Sequence, residues 1–277
     1  MKLIADSGST KTLWCLTANG ECLVQVHTEG INPYHTSEER IVGIITRQLA
    51  PELPDEPVSE VFFYGAGCND ARRNAPIVKA LQDVTKAHRI EIASDMLGAA
   101  RSLCQAKAGI ACILGTGANS CLYEQGEIVC NISPLGYILG DEGSGAVLGR
   151  TLVADYLKHQ LPEDLNDAFR AAYTLDAMQV IDAVYRQPMP NRYLASFCPF
   201  LSQHRDHAYV WHLIHSEFSR FVGRNLSNYD RKDLPVHFTG SIAYSFSKIL
   251  RQVLIEQGYT PGGITQQPME GLIEYHR

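Results

Sequence analysis

The sequence predicts an α/β protein of two related lobes, each built on a βββαβαβα unit with a ligand cleft between them. Three observations carry this. A strand, a glycine-rich loop and two more strands are written twice, opening near Lys2 and near Ile110; βα units follow each copy; and 277 residues are enough for two lobes that each bury a core. The expected boundaries are 1–106 and 107–277.

In the first lobe, the apolar run from Lys2 to Ala5 ends at Asp6 and a small-residue turn, then resumes as the β-prone Thr12 to Thr17. Asn19-Gly20 is a hairpin signal, because both residues tolerate the positive φ of a type I′ turn, and Glu21 to Thr28 completes three antiparallel strands. Val58 to Tyr64 before Gly65-Ala66-Gly67, and Ile90 to Ala93 before Ser94-Asp95, read as further strands of βα units. In the second lobe, Ile110 to Leu114 ends at Gly115-Thr116-Gly117-Ala118-Asn119, and the chain turns again at Glu124-Gln125-Gly126. Val236 to Phe238 precedes Thr239-Gly240-Ser241, a helical run from Tyr244 to about Gln257, and a helical segment from Pro268 to His276. The stretch 144–228 reads as a helical insertion, with Val210, Leu213, Ile214, Phe218, Phe221, Val222 and Leu226 on one stripe.

Lys plus Arg number 24 against 30 Asp plus Glu, a net charge of −6, so no overall positive field draws nucleic acid or anionic lipid, and a small polar substrate is expected. Met1 to Asp6 meets a carboxylate too early for a signal-peptide core, and no apolar run is long enough for a membrane span, so the expected location is cytoplasmic. The 8 cysteines contain no Cys-x-x-Cys pair and several sit in apolar runs, which fits buried, reduced thiols.

A tight Gly/Ser/Thr loop between strands points N–H groups and hydroxyls outward, which suits phosphate oxygens. Ser7 to Thr12 and Gly115 to Ser120 are both of this kind, and two at equivalent places could grip one polyphosphate. Neither the Walker A spacing nor the dinucleotide glycine fingerprint occurs. Asp6, beside the first loop, could hold Mg²⁺ directly or through water, or simply cap the turn. Asp95 ends a strand where open α/β sheets place ligands, so it is a candidate general base; a helix N-cap is its other role. Asp141 opens an acidic loop before a helix and could bind sugar hydroxyls or act as a cap. His204, His207, His212 and His215 read as solvated-face residues, and Arg72-Arg73 and Arg231-Lys232 as surface charge.

These residues carry a resemblance. The chain resembles the N-acetylglucosamine kinase and BadF/BadG-type ATPases of the superfamily that unites sugar kinases, heat-shock ATPases and actin. Asp6-Ser7-Gly8-Ser9-Thr10-Lys11-Thr12 is similar to its first phosphate motif, Ile113 to Ser120 to its second, and Phe238-Thr239-Gly240-Ser241-Ile242-Ala243 to its adenosine motif. The resemblance implies a two-lobed actin-like, ribonuclease H-like fold and an ATP-dependent kinase acting on a hydroxyl of an amino sugar such as N-acetylglucosamine. It implies that Gly8, Ser9, Thr10, Lys11, Gly115, Thr116, Gly117, Gly240 and Ser241 bind nucleotide, that Asp95 is catalytic, that Asp6 positions Mg²⁺, and that Asn32, Gly136 and Asp141 bind the sugar. It also implies a last helix packing back on the first lobe and a homodimer through the helical insertion. Ser133-Pro134-Leu135-Gly136-Tyr137 departs from the family's Gly-Gly-Trp-Gly, and the zinc motif of the related repressor family is missing.

Two other readings stay open. One is the ATPase activator of a radical dehydratase, although no cluster-binding cysteine spacing stands out. The other is a non-catalytic sugar sensor of the same fold.

Overall fold

The computed structural model describes residues 1–8 and 10–277, which divide into two compact units. The first comprises 1–107, 124–128 and 267–277, and the second 108–123 and 129–266.

The first unit runs β1 (Lys2–Ser7), β2 (Lys11–Ala18), β3 (Glu21–Glu29), α1 (Glu38–Ile44), β4 (Glu60–Gly65), α2 (Ala71–Thr85), β5 (Arg89–Ser94) and α3 (Asp95–Cys104). Its sheet has the order β3-β2-β1-β4-β5, antiparallel through β1 to β3 and parallel through β1, β4 and β5. Asn19 and Gly20 both take positive φ, at 53° and 80°, as the hairpin signal requires. One face of the sheet packs Leu3, Trp14 and Phe63 against α1 and α2; the Trp14 indole N–H is satisfied by the Thr28 hydroxyl at 2.9 Å.

The second unit begins with β6 (Gly109–Leu114), β7 (Ala118–Glu124) and β8 (Glu127–Ile132), followed by α4 (Gly136–Leu139), α5 (Gly145–Leu157), α6 (Glu163–Ala172), α7 (Ala177–Tyr185), α8 (Pro190–Ala195), α9 (Cys198–Gln203) and α10 (Ala208–Arg224). It closes with β9 (Pro235–Thr239), α11 (Ser241–Ser245), α12 (Ser247–Glu256) and β10 (Thr260–Thr265). The sheet order β10-β9-β6-β7-β8 repeats the first unit's, with the helices α5 to α10 inserted between β8 and β9. Of the apolar stripe read on α10, all but the half-buried Leu213 are buried.

Two elements differ from expectation. The run from Tyr244 breaks at Phe246, whose φ of −113° and ψ of 26° leave the helical region and divide α11 from α12. Thr260-Pro261-Gly262-Gly263-Ile264-Thr265 has the composition of a loop yet forms β10, parallel to β9 with a register shift between Pro261 and Ile264. Edge strands tolerate proline, and the His237 Nδ1 accepts the N–H of Gly263 at 2.9 Å across the irregularity.

A correction concerns the thiols. Cys15 and Cys22 form a disulfide between neighbouring strands β2 and β3, because both side chains fall on one sheet face with Cα atoms 6.0 Å apart. The other cysteines form no disulfide, and among them Cys130 is exposed while the rest are buried.

The last helix, α13 (Met269–Tyr275), belongs to the first unit, where Met269 and Leu272 cover the sheet face formed by Ile4, Leu13 and Phe62. Ser102 of α3 and Gln105, just after its end, hold it by donating to the carbonyls of Pro268 at 2.7 Å and Gly271 at 2.9 Å. Beyond it His276 stacks on Phe62, with centroids 3.7 Å apart, and its Nε2 shares a hydrogen bond of 2.7 Å with the Tyr64 hydroxyl. That hydroxyl also accepts from Arg101, which pairs with Glu91.

Burial, then the nearby Arg101 charge, pulls the His276 pKa down to about 4. An unfolded histidine takes up its proton near pH 6.5, so between that value and about pH 4 the unfolded chain binds the extra proton and stability falls as pH falls. His276→Gln should flatten this acid-side loss; urea midpoints measured from pH 7 to 4 that stay parallel to wild type would refute the assignment.

Candidate active site

In the first unit the parallel register sets Ser7, Gly65 and Ser94 in one row across the carboxyl ends of β1, β4 and β5. Asp6 precedes the row on β1 and Asp95 follows it on α3, so two acids from distant parts of the sequence share one sheet edge. Ser94, not Asp95, caps α3: its hydroxyl accepts the Leu97 N–H at 3.2 Å. The Asp95 carboxylate accepts the adjacent Met96 N–H at 2.9 Å, and its charge acts on Asp6.

Burial raises the Asp95 pKa, opposed by its backbone hydrogen bonds. Asp6 is pushed up to about 7, first by burial and then by the charge of Asp95, with the Lys11 ammonium pulling the other way. A hard cation is the natural substitute for the proton that this pair attracts, and carboxylate oxygen is a suitable donor, so Asp6 fits Mg²⁺ held directly or through water.

The first loop folds on itself through the Gly8 N–H donating to the Lys11 carbonyl at 3.0 Å; Gly8, Thr10 and Lys11 are exposed beside it, and Ser9 lies outside the described residues. The loop's roots are buried hydroxyls. Ser7 and Thr12 lie 2.7 Å apart, and the Ser7 hydroxyl accepts the Ile31 N–H at 3.0 Å, which ties the segment before Asn32 to the end of β1. Asn32 is buried, and its Oδ1 accepts the Tyr34 N–H at 3.0 Å. The loop after β4 presses on it: a Cβ on Gly67 would stand 2.4 Å from Asn32 Oδ1 and 2.8 Å from the Tyr34 ring, and Gly67 has φ of +79°. Only glycine fits there.

In the second unit the Gly115–Gly117 loop is fixed by the start of α5. The N–H groups of Gly145 and Ala146 donate to the carbonyls of Gly115 at 2.8 Å and Thr116 at 3.0 Å. Asp141 accepts the Ala118 N–H at 3.0 Å, lies close under Gly117, and has its pKa raised by burial and by neighbouring Glu142. Asp141 therefore braces the loop, whatever else it contacts. Gly240, at φ +118°, lets the β9–α11 turn approach β6, since a Cβ there would meet the Leu114 carbonyl oxygen at 2.3 Å.

Gly115, Thr116, Gly145 and Ser241 help line a cavity of about 680 Å³, within the range of small-molecule sites. Cys198, Gln203, Arg205 and Asp206, from α9 and the turn after it, line it too, with the Cys198 thiol 3.2 Å from the Gly145 carbonyl. Sequence spacing gave no hint of these four, which lie far along the chain inside the helical insertion. Gly136, with φ of +72° and open space around its α-carbon, begins α4, which carries the exposed Ile138 and Leu139. The four histidines disperse: His207 pairs with Asp164, His215 with Glu256, while His204 and His212 pack on Phe200 and Trp211.

A solved structure of a candidate N-acetylglucosamine kinase from Porphyromonas gingivalis is 48% identical to this chain, with a TM-score of 0.95, over 100% of this chain and 98% of that one. The chain belongs to the N-acetylglucosamine kinase-like family of actin-like sugar kinases. A candidate N-acetylglucosamine kinase from Chromobacterium violaceum shares the fold at 17% identity and a TM-score of 0.76, over 100% and 98% of the two chains. A glucokinase of the ROK family from Streptomyces griseus, solved with glucose and AMPPNP, does so at 12% and 0.60, over 99% and 97%. No protein-family model matches the chain, and no curated protein sequence does. Among the described residues no helix is long and apolar enough to cross a membrane.

Asp6 carries a testable charge. Its folded pKa of about 7 lies above the ordinary 3.8, so the folded state holds the proton between those values and this group's contribution to stability declines as pH rises through 7. In metal-free buffer Asp6→Asn should gain on wild type from pH 5 to 8 by on the order of a few kcal/mol. Denaturant midpoints showing no pH-dependent gain would contradict it.

Proposed function

We propose that the protein transfers the γ-phosphate of ATP to a hydroxyl, the 6-hydroxyl, of an amino sugar of the N-acetylglucosamine type. The observation that carries the proposal is the desolvated pair Asp6 and Asp95 on one sheet edge, an acid for the metal and an acid for the acceptor. The identity to a candidate N-acetylglucosamine kinase along the whole chain supports the acceptor class.

Asp95 is the general base. Its raised pKa gives it more affinity for the acceptor's proton than an ordinary carboxylate, and it orients that hydroxyl toward the phosphoryl group. Gly8, Thr10 and Lys11 in the first unit, and Gly115, Thr116 and Gly117 in the second, bind the phosphates; Ser9 belongs to the same loop in sequence. Gly240 and Ser241 serve the adenosine, for which the cavity lined by Ser241 and Arg205 supplies room. Asn32, Gly136 and Asp141 are the sugar-binding residues of this proposal. Mg²⁺, held by Asp6, would neutralise phosphate charge.

Asp95→Asn should lower kcat by about a hundredfold or more while leaving the Kd for ATP nearly intact. A coupled ADP-release assay over N-acetylglucosamine, glucosamine, N-acetylmannosamine and glucose measures it, and full activity of the variant would remove Asp95 from the mechanism.

A further inference from the structure

Arg73 is exposed at the start of α2, and its guanidinium lies over the Tyr34 ring, 4.4 Å from the centroid. Its sequence suggested ordinary surface charge, but two features set it apart. Among the described residues no hydrogen bond or ion pair involves the guanidinium, and the nearest acid in sequence, Asp70, turns its carboxylate to the N–H groups of Arg72 and Arg73 at 2.8 and 3.4 Å. The ring beneath it is also fixed: Tyr34 donates its backbone N–H to Asn32 Oδ1 and packs against Gly67, while remaining 51% exposed. Asn32, Tyr34 and Arg73 thus form one continuous surface of the first unit, running from a buried amide to an aromatic ring to a cation held on that ring without an anion.

Aromatic stacking orients a guanidinium while leaving its in-plane N–H donors outward, the geometry that receives an oxyanion on two parallel hydrogen bonds. We infer that Tyr34 and Arg73 form a subsite for an oxyanion, carboxylate or phosphate, carried as a substituent on the amino sugar beside Asn32. The inference rests on the proposed sugar-binding role of Asn32. Arg73 would select substrates that carry the charge over neutral hexosamines.

The test compares N-acetylglucosamine with N-acetylmuramic acid, which bears a carboxylate on an ether arm, and with N-acetylglucosamine 1-phosphate. Phosphorylation kinetics and calorimetric binding are measured on wild type, Arg73→Ala and Arg73→Lys at low and high salt. One of the two anionic sugars is expected to exceed the neutral one in kcat/KM by about tenfold or more, and which one does so identifies the oxyanion. The preference should shrink with salt, vanish in Arg73→Ala and survive in part in Arg73→Lys, which keeps the charge without the fork. Equal kcat/KM for neutral and anionic sugars, or a preference that persists in Arg73→Ala, overturns the subsite and leaves the kinase proposal standing. Failure of every sugar to bind or turn over overturns both.

Discussion

Two carboxylates deprived of water on one sheet edge repel each other, and much of the first unit can be understood as the means of holding them there. The sheet brings them together because β1 and β5 run parallel on either side of β4, so their carboxyl ends coincide. Helix α3 then begins on that edge with Ser94 as its cap, which leaves the Asp95 carboxylate to its neighbour's N–H and to Asp6. Gly98, where a Cβ would lie 2.7 Å from Tyr64, lets α3 settle directly on β4, and Arg101 at its far end is fixed to Glu91 and Tyr64. Hydrophobic burial supplies the energy that such an arrangement opposes, as in other sites where ionisable groups are kept from solvent.

Close backbone approach is the device both units use to shape their loops. Gly67 admits Asn32 and Tyr34 in the first unit, and Gly240 admits the Leu114 carbonyl in the second. Each occupies positive φ as well, so a side chain at either place would face both a steric and a conformational cost. The loops that adjoin them are short and tied to buried hydroxyls or helix N–H groups, which fixes their backbone.

Most of the architecture could be read in the sequence because its periodicities are strong and repeat. The twin triple of strands, the Asn19-Gly20 hairpin and the stripe of α10 each combine a pattern with turn chemistry that agrees with it. β10 escaped because Pro261, Gly262 and Gly263 argue against a strand unless it lies at an edge, and edge position is a tertiary fact. The Cys15–Cys22 disulfide escaped because its partners are brought together by a hairpin with an irregular register, which spacing of seven residues does not announce. Within the candidate site, the two glycine-rich loops and the two acids stood out as glycine clusters and strand-terminal carboxylates. The bracing of the second loop by Asp141, the lining of the cavity by residues of α9 and the turn after it, and the stacking of Arg73 on Tyr34 depend on contacts between separated segments and left no local mark.

The placement of residues 267–277 in the first unit has a consequence for how the protein is made. Synthesis delivers the strands β1 to β5 early, but the helix that covers Ile4, Leu13 and Phe62 follows only after all of the second unit has emerged. Domains ordinarily complete themselves in order along the chain. Here the earlier unit carries an open apolar sheet face throughout translation of the later one, so its exposure to chaperones or to other nascent chains is set by the time needed to make the inserted helices.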